Sequence, residues 1–391
     1  MQTPTPVGSL SSDQADLKDM TRRLALDRYA PHAQAWDRDY AHFPDEERQV
    51  LADLDLLGIA LPEEYGGSGR PLVDALIVIE ELAKATPLAA FPVFEAATGP
   101  ARVIELCGTE EQKAEHLPPV VQGRKTIAVA ISEPDAGSAA TDATVRGRVE
   151  GDELVISGTK RWCSGAGYAE QYLVYLRLGP EKGAAGLGAV LVDRDAEQLS
   201  FGEQEHLMGH RGVGSADMFF DDVRVPIERL IIPQGGFKHL FSVFSIERLG
   251  NATMSLALAQ AALDRSARYV QERKQFGRAI AEFQMVQGTL ADMIMQVDAA
   301  RLLVHRAATN AGHGVPIPRE ASIAKCFSNE TAKRVTDMAI QLHGGYGYSA
   351  EYDVERMHRD AHGWALAGGT PNMQRIRIAS DYLERRFDQR S

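Results

Sequence analysis

Residues 236–277 read GFKHLFSVFSIERLGNATMSLALAQAALDRSARYVQERKQFG, and the rest of the chain is organised around them. Leu240, Phe244, Glu247, Asn251, Met254 and Leu258 recur at steps of three and four, the spacing that puts residues on one stripe of an α-helix. That stripe is apolar except for Glu247 and Asn251. A carboxylate set between Phe244 and Met254 is costly to bury while ionised. Its proton affinity is therefore expected to rise into the range a general base needs near neutrality. The same residues also allow a solvated Glu247 near the helix start, paired with Arg248 or Lys238.

The chain has 391 residues, enough for two or three packed units, and its 44% hydrophobic and 25% charged content is that of an ordinary soluble globular protein. A formal charge of -12 argues against nucleic acid or an anionic membrane as the main partner. No apolar run reaches the length of a membrane span. The first twenty residues, MQTPTPVGSLSSDQADLKDM, lack both a secretory apolar core and an Arg-rich presequence, so a cytoplasmic location is expected. Cys107, Cys163 and Cys326 are widely spaced and give neither a disulfide nor a zinc pattern, which suits a reducing compartment.

Outward from the long helix the chain divides into blocks. Residues 1–12 read as a loose polar arm. From Asp13 to about Gly123 the pattern is helical. Leu72, Leu76, Ile79 and Ala83 form one face, Pro44 and Pro71 fall near helix starts, and Thr109 with Gln112 makes a capping box. At Thr126 the period changes. TIAVAIS, ATVRGRVEGDELVISGTKRWCSG, QYLVYLRL, GAVLVD and MFFDDVRVP read as short strands, with a hairpin at Gly151-Asp152. Helices are expected again over 237–273, 282–311 and 318–343, and from about Pro371. Segregated α, β and α blocks argue for an α+β fold with domains at 1–125, 126–235 and 236–391.

Several short strings carry possible chemistry, and each also has a plain structural reading. ISEPDAGS (131–138) follows the first strand and can present N–H groups and hydroxyls to a ligand, or be an ordinary Pro/Gly turn. In GTKRWCSG (158–165), Trp162 can cover a flat ring whose edge bonds Ser164, or pack on the sheet. Arg273 stands at the end of the long helix, where it can grip a pyrophosphate or face the helix dipole. QLHGGYG (341–347) puts glycines where a helix cap is needed. In AGGTPNMQR (367–375), Thr370 is an N-cap and Pro371 the first helical residue. There is no GxGxxG after a strand, no Walker loop and no GxSxG; His358 and His362 lack a nearby third ligand.

The order and spacing of these strings are far more specific than any one of them. From about Asp13 to Tyr382 the chain resembles the acyl-CoA dehydrogenase family of flavoproteins. The resemblance is carried by ISEPDAGS, GTKRWCSGAG, MGHRGVGSADMFFDDVRVP, ERKQFGRAIAEFQ, QLHGGYGYSAEYDVERMHRD and AGGTPNMQRIRIA. It implies an N-terminal helical domain, a middle β domain and a C-terminal four-helix bundle, with FAD between the last two. It also implies that Ile131, Ser132, Gly137 and Ser138 line the flavin and substrate, and that Trp162 and Ser164 cover the flavin. Arg273, Phe276 and Gln284 would reach the FAD of a neighbouring subunit. Gln341 and Gly345 would contact its ADP side, and Thr370 and Asn372 would lie nearer the flavin. Substrate contacts fall on Ser138, Arg248, Gly368 and Gly369. No metal is implied.

One departure is informative. Many family members carry a catalytic Glu where this chain has Gly368. A branch that includes isovaleryl- and long-chain-type enzymes places the base instead on the long helix, in the string ERL, matched here by Glu247-Arg248-Leu249. The resemblance therefore implies Glu247 as the base that removes the α-proton of an acyl thioester. A β-hydride would pass to FAD, a trans-2-enoyl thioester would leave, and an electron-transferring flavoprotein would take the electrons. A homodimer or homotetramer is implied. The thioester carrier is CoA or an acyl-carrier protein of polyketide or peptide biosynthesis. A flavin monooxygenase or oxidase on the same fold is the further alternative, against which Glu247 speaks. Phe91 and Phe94 fall where the family's acyl pocket has its floor, and two rings there would shorten it.

Overall fold

The computed structural model describes residues 10–385 and 387. Most of the expected N-terminal arm therefore lies outside the described residues. The first block is helical: α1 (Ser12–Leu24), α2 (Ala33–Asp39), α3 (Asp45–Asp53), α4 (Leu72–Ala85), α5 (Pro87–Thr98), α6 (Pro100–Cys107) and α7 (Glu110–Val121). Pro44 and Pro71 cap α3 and α4, and Thr109 and Gln112 complete the capping box of α7. The expected apolar face of α4 is buried, and so is nearly everything else on that helix.

The sheet comes next: β1 (Ile127–Ala130), β2 (Arg146–Glu150), β3 (Glu153–Ser164), β4 (Gln171–Arg177), β5 (Leu187–Asp193), β6 (Leu199–Phe201), β7 (Ser215–Pro226) and β8 (Leu230–Ile232). Its order is β6-β7-β3-β2-β4-β5-β8, with β1 on β4. Most pairs are antiparallel; β1–β4 and the single β2–β4 contact are parallel. The Gly151-Asp152 hairpin forms with Glu150 opposite Glu153, and Gly151 takes the φ of +66° that a two-residue turn demands. The short strands β6 and β8 were not expected from the sequence.

The last block holds α8 (Phe237–Glu272), a small hairpin of β9 (Lys274–Gln275) and β10 (Arg278–Ala279), then α9 (Gln284–Ala311), α10 (Pro318–His343), α11 (Asp353–Leu366) and α12 (Pro371–Tyr382). At 36 residues, α8 is about 54 Å long. It packs against α9, α10 and α11, and also against α4, α5 and α6 of the first block. The single apolar stripe therefore understates it. Ile246, Leu249, Ala252, Leu256 and Ala259 are buried as well as Leu240, Phe244, Met254 and Leu258. A helix buried all round has no polar face to betray its orientation. Helix α11 is a second omission of the sequence reading. Val354, Met357, Ala361 and Trp364 keep the helical period, but Arg356 and Asp360 beside them are buried too, so charged residues flank the apolar stripe.

Candidate functional site

A cleft of about 790 Å³ opens between the sheet and the last helices. The loop after β1 supplies Ile131, Ser132, Gly137 and Ser138 to its wall; the turn between α11 and α12 supplies Gly368 and Gly369. Helix α8 adds Phe241, Phe244 and Arg248. Seven of the residues singled out in the sequence thus line one cleft, although they are up to 238 positions apart (131 to 369).

Buried polar groups fix the shape of the first loop. Lys160, on β3, is fully buried and donates to the Ile131 carbonyl at 2.9 Å and to Glu133 Oε1 at 2.8 Å. Glu133 also accepts from Thr144 N–H and Oγ1 and from Val145 N–H. Its carboxyl is held below the ordinary range: burial opposes this, but Lys160 and these hydrogen bonds outweigh it. The Ser132 carbonyl accepts from Arg161 N–H at 2.8 Å, which lays the loop along β3 next to Trp162.

Trp162 sits where the β3–β7 register slips between Lys160 and Cys163. A bulge re-aims a side chain. Here φ is +59° and the indole stands 52% exposed, with the Arg161 guanidinium 4.2 Å from its ring centre. Such an indole is built to present a flat apolar surface rather than to pack on the sheet. With the pinned loop beside it, it fits the flavin ring that the resemblance implies. Thr370 caps α12 by accepting from Met373 N–H, as its sequence position implied.

Glu247 points toward the glycine turn. A Cβ placed on Gly368, at φ +64°, would stand 3.2 Å from Glu247 Oε1. Glycine at 368 thus makes room for the Glu247 carboxylate itself, which a side chain there would crowd. Among the described residues Glu247 makes no hydrogen bond or ion pair, and burial pushes it up to about 8 against the opposing charges of Arg248 and Lys325. The alternative of a solvated Glu247 paired with Arg248 does not hold, because Arg248 is itself buried and turned elsewhere. Pairing with Lys238 lies outside the described residues.

Arg248 is only 2% exposed, donates to Ser245 Oγ at 3.3 Å, and leaves its Nε without a partner. It and Arg377 of α12 lie 4.9 Å and 4.4 Å from the centre of the Phe241 ring. Burial, then Arg377, pulls Arg248 down to about 9. Tyr175 lines the same cleft with a buried, unpartnered hydroxyl. Sequence reading missed both Arg377 and Tyr175. Each sits in a segment whose period already accounted for it. A small cavity of about 10 Å³, bounded by Thr98, Pro100, Val103, Val129 and Val243, continues past Glu247 and shares Tyr175 and Phe244 with the cleft. Phe91 and Phe94 stack on each other and meet Trp364 at a tilt and edge-on, instead of lining the cleft.

Other expected site residues lie elsewhere. Trp162, Ser164, Thr370 and Asn372 border the cleft's elements but do not line it. Arg273, Phe276, Gln284, Gln341 and Gly345 gather near the far end of α8, where Arg273 lies 5.4 Å over the Tyr346 ring. Phe276 is 93% exposed there, at φ +52°. His358 and His362 pack at 4.9 Å, and among the described residues no group of three or more acidic, His or Cys side chains is placed to hold a metal. No helix among them is long and apolar enough to cross a membrane.

Comparison with known proteins agrees with this architecture. Residues 11–124, 128–223 and 234–383 match the N-terminal, middle and C-terminal domains of acyl-CoA dehydrogenases. The chain is 38% identical to a probable acyl-CoA dehydrogenase of Bacillus subtilis, over 96% of this chain and 99% of that one. It is 36% identical to a subunit of a caffeyl-CoA reductase–Etf complex from Acetobacterium woodii, over 88% and 91%. Among solved structures, butyryl-CoA dehydrogenase from Megasphaera elsdenii superposes with a TM-score of 0.92 at 31% identity, covering 98% of this chain and 100% of that one.

Proposed function

The chain belongs to the acyl-CoA dehydrogenase family of FAD-dependent enzymes acting on the CH–CH bond of acyl thioesters, and within that function we propose Glu247 as the base. The observation that carries this is the carboxylate itself: half-buried, without a hydrogen-bond or ion-pair partner among the described residues, and reaching to the Gly368 turn that lines the cleft. Bound FAD supplies the hydride acceptor. The chain's own task is then proton transfer and charge stabilisation. Glu247 takes the α-proton. The turn at Gly368-Gly369 lines the cleft, and a backbone N–H there would meet the negative charge that develops on the thioester oxygen as the proton leaves. Ile131, Ser132, Gly137, Ser138, Trp162, Ser164, Thr370 and Asn372 would hold the flavin, and the first four also line the cleft that would take the thioester.

Two features support finer assignments. The carrier of a thioester is large and leaves by the open cleft, so the acyl group takes the enclosed side past Glu247. That side is nearly filled, which favours a short acyl chain. Arg248, buried, and Arg377, half-buried, line the cleft without a carboxylate partner among the described residues, and they favour an anionic carrier arm, as in CoA or phosphopantetheine. A panel of short and long acyl groups, each on CoA and on a carrier protein, with a dye as electron acceptor, tests the reading. Turnover of short acyl-CoA is the expected result; turnover of none on either carrier counts against it.

We assign Arg273, Phe276, Gln284, Gln341 and Gly345 to the FAD of a neighbouring subunit in a homo-oligomer. They are remote from this protomer's cleft, and Met285, Met295 and Leu302 leave an apolar outer face on α9. Dilution to monomers is expected to release flavin, with Arg273→Ala releasing it at higher protein concentration than wild type. A monomer that keeps its flavin, seen by fluorescence after gel filtration, would contradict the assignment. For the electron acceptor the reading is an electron-transferring flavoprotein, in line with the Etf-linked relative.

A further inference from the structure

The polar cluster beneath the glycine turn takes no part in the chemistry above, and a lysine stands at its centre. Lys325 lies within α10 and is fully buried. Its ammonium donates to the Gly369 carbonyl at 2.9 Å and to Asn329 Oδ1 at 3.0 Å. Asn329 donates onward to Asn251 Oδ1 at 3.0 Å and Ser255 Oγ at 2.7 Å, both on α8. Asn251 donates to the Trp364 carbonyl at 3.1 Å, just ahead of the turn. The backbone of 364–369 is thereby tied to α8 and α10 at both of its ends.

A buried ammonium with two neutral acceptors is costly unless an anion lies near it. Lys325 makes no ion pair among the described residues. The nearest acid acting on it is Glu247. The two flank one point, since a Cβ on Gly368 would stand 3.2 Å from Glu247 Oε1 and 3.5 Å from Lys325 Cε. Neither group has an ion-pair partner among the described residues, and each has the other's charge across the glycine turn.

We propose that Lys325 is a positioning residue for the reaction: it anchors the Gly368-Gly369 turn through the Gly369 carbonyl and supplies the positive charge against which Glu247 is ionised. The proposal rests on Glu247 being the base. Other groups facing Glu247 are Arg248 on its own helix, Tyr175 from β4 and Glu95 from α5. Arg248 is turned toward Ser245, Phe241 and Phe244, so Lys325 is the cation on the Gly368 side. Facing Lys325 are Glu247 and Arg248, with Cys326 beside it. Burial pulls Lys325 down while the charge of Glu247 works the other way, and Lys325 in turn favours the ionised form of Glu247.

Two variants of the FAD-loaded protein separate anchor from charge. Lys325→Gln keeps a donor for the Gly369 carbonyl and removes the charge; Lys325→Met removes both. The readout is the carboxyl infrared band that Glu247→Gln abolishes, followed against pH, together with the rate of flavin reduction. Losing a nearby cation raises a carboxyl's proton affinity. In Lys325→Gln the band is expected to titrate about one pH unit higher, ~tenfold in affinity, with the rate lowered at neutral pH and restored by raising the pH. Lys325→Met is expected to show the same shift and a lower plateau rate. A band that titrates as in wild type in whichever of the two variants folds overturns the proposal. A shifted band with an unshifted rate profile sustains the charge role of Lys325 and refutes Glu247 as base instead.

Discussion

Replacing Glu247 by glutamine is expected to slow flavin reduction by a bound acyl thioester at least ~10²–10⁴-fold, the contribution of a positioned general base, while flavin content and thioester affinity stay near wild type. Glutamine keeps the shape of the side chain and removes its basicity. Gly368 offers no substitute acid. Anaerobic rapid mixing, following the flavin's visible absorbance, measures the rate. The wild-type profile has a definite sign. Burial raises the Glu247 carboxyl to about 8, and only its ionised form accepts a proton, so the rate rises with pH through that region and levels off above it. A rate that falls over the same interval contradicts the assignment.

The second large effect is on the fold around the cofactor. Lys160→Met leaves Glu133 buried without its cation, the kind of change that costs about 3–5 kcal/mol. It also frees the Ile131 carbonyl, so the loop that lines the cleft keeps the Ser132–Arg161 backbone bond to β3 but loses its side-chain attachment there. The expected result is a marked fall in melting temperature together with weaker flavin retention, whereas Lys160→Arg is expected to lose less of both. Melting with and without added FAD checks this. A Lys160→Met variant that melts as wild type and keeps its flavin contradicts the clamp.

Much of the fold was legible because each block carries its own period and punctuation. The capping box at Thr109 and Gln112, the Gly151-Asp152 turn and the Thr370-Pro371 helix start are local signals, and each formed as read. Helix α11 escaped because Arg356 and Asp360 are buried by partners distant in sequence. Arg356 donates to the Ala85 carbonyl, and Asp360 accepts from His210 N–H. No local pattern announces such partners. The same holds within the site. Glu247 could be singled out because an acid interrupts an apolar stripe. Lys325 could not: its bond to Gly369 joins residues 44 apart, and at 325 the sequence shows only a lysine in a helix. Nor does the exposed turn of Trp162 follow from its neighbours, since it depends on a register slip against β7.

The most direct test follows the α-hydrogen itself. FAD-loaded wild-type and Glu247→Gln proteins are incubated in D2O with a short acyl-CoA that binds but resists β-oxidation, and deuterium uptake at the α-carbon is read by mass spectrometry. Exchange by wild type and its loss in Glu247→Gln is the expected result. Exchange that continues undiminished in Glu247→Gln would show that another group takes the proton.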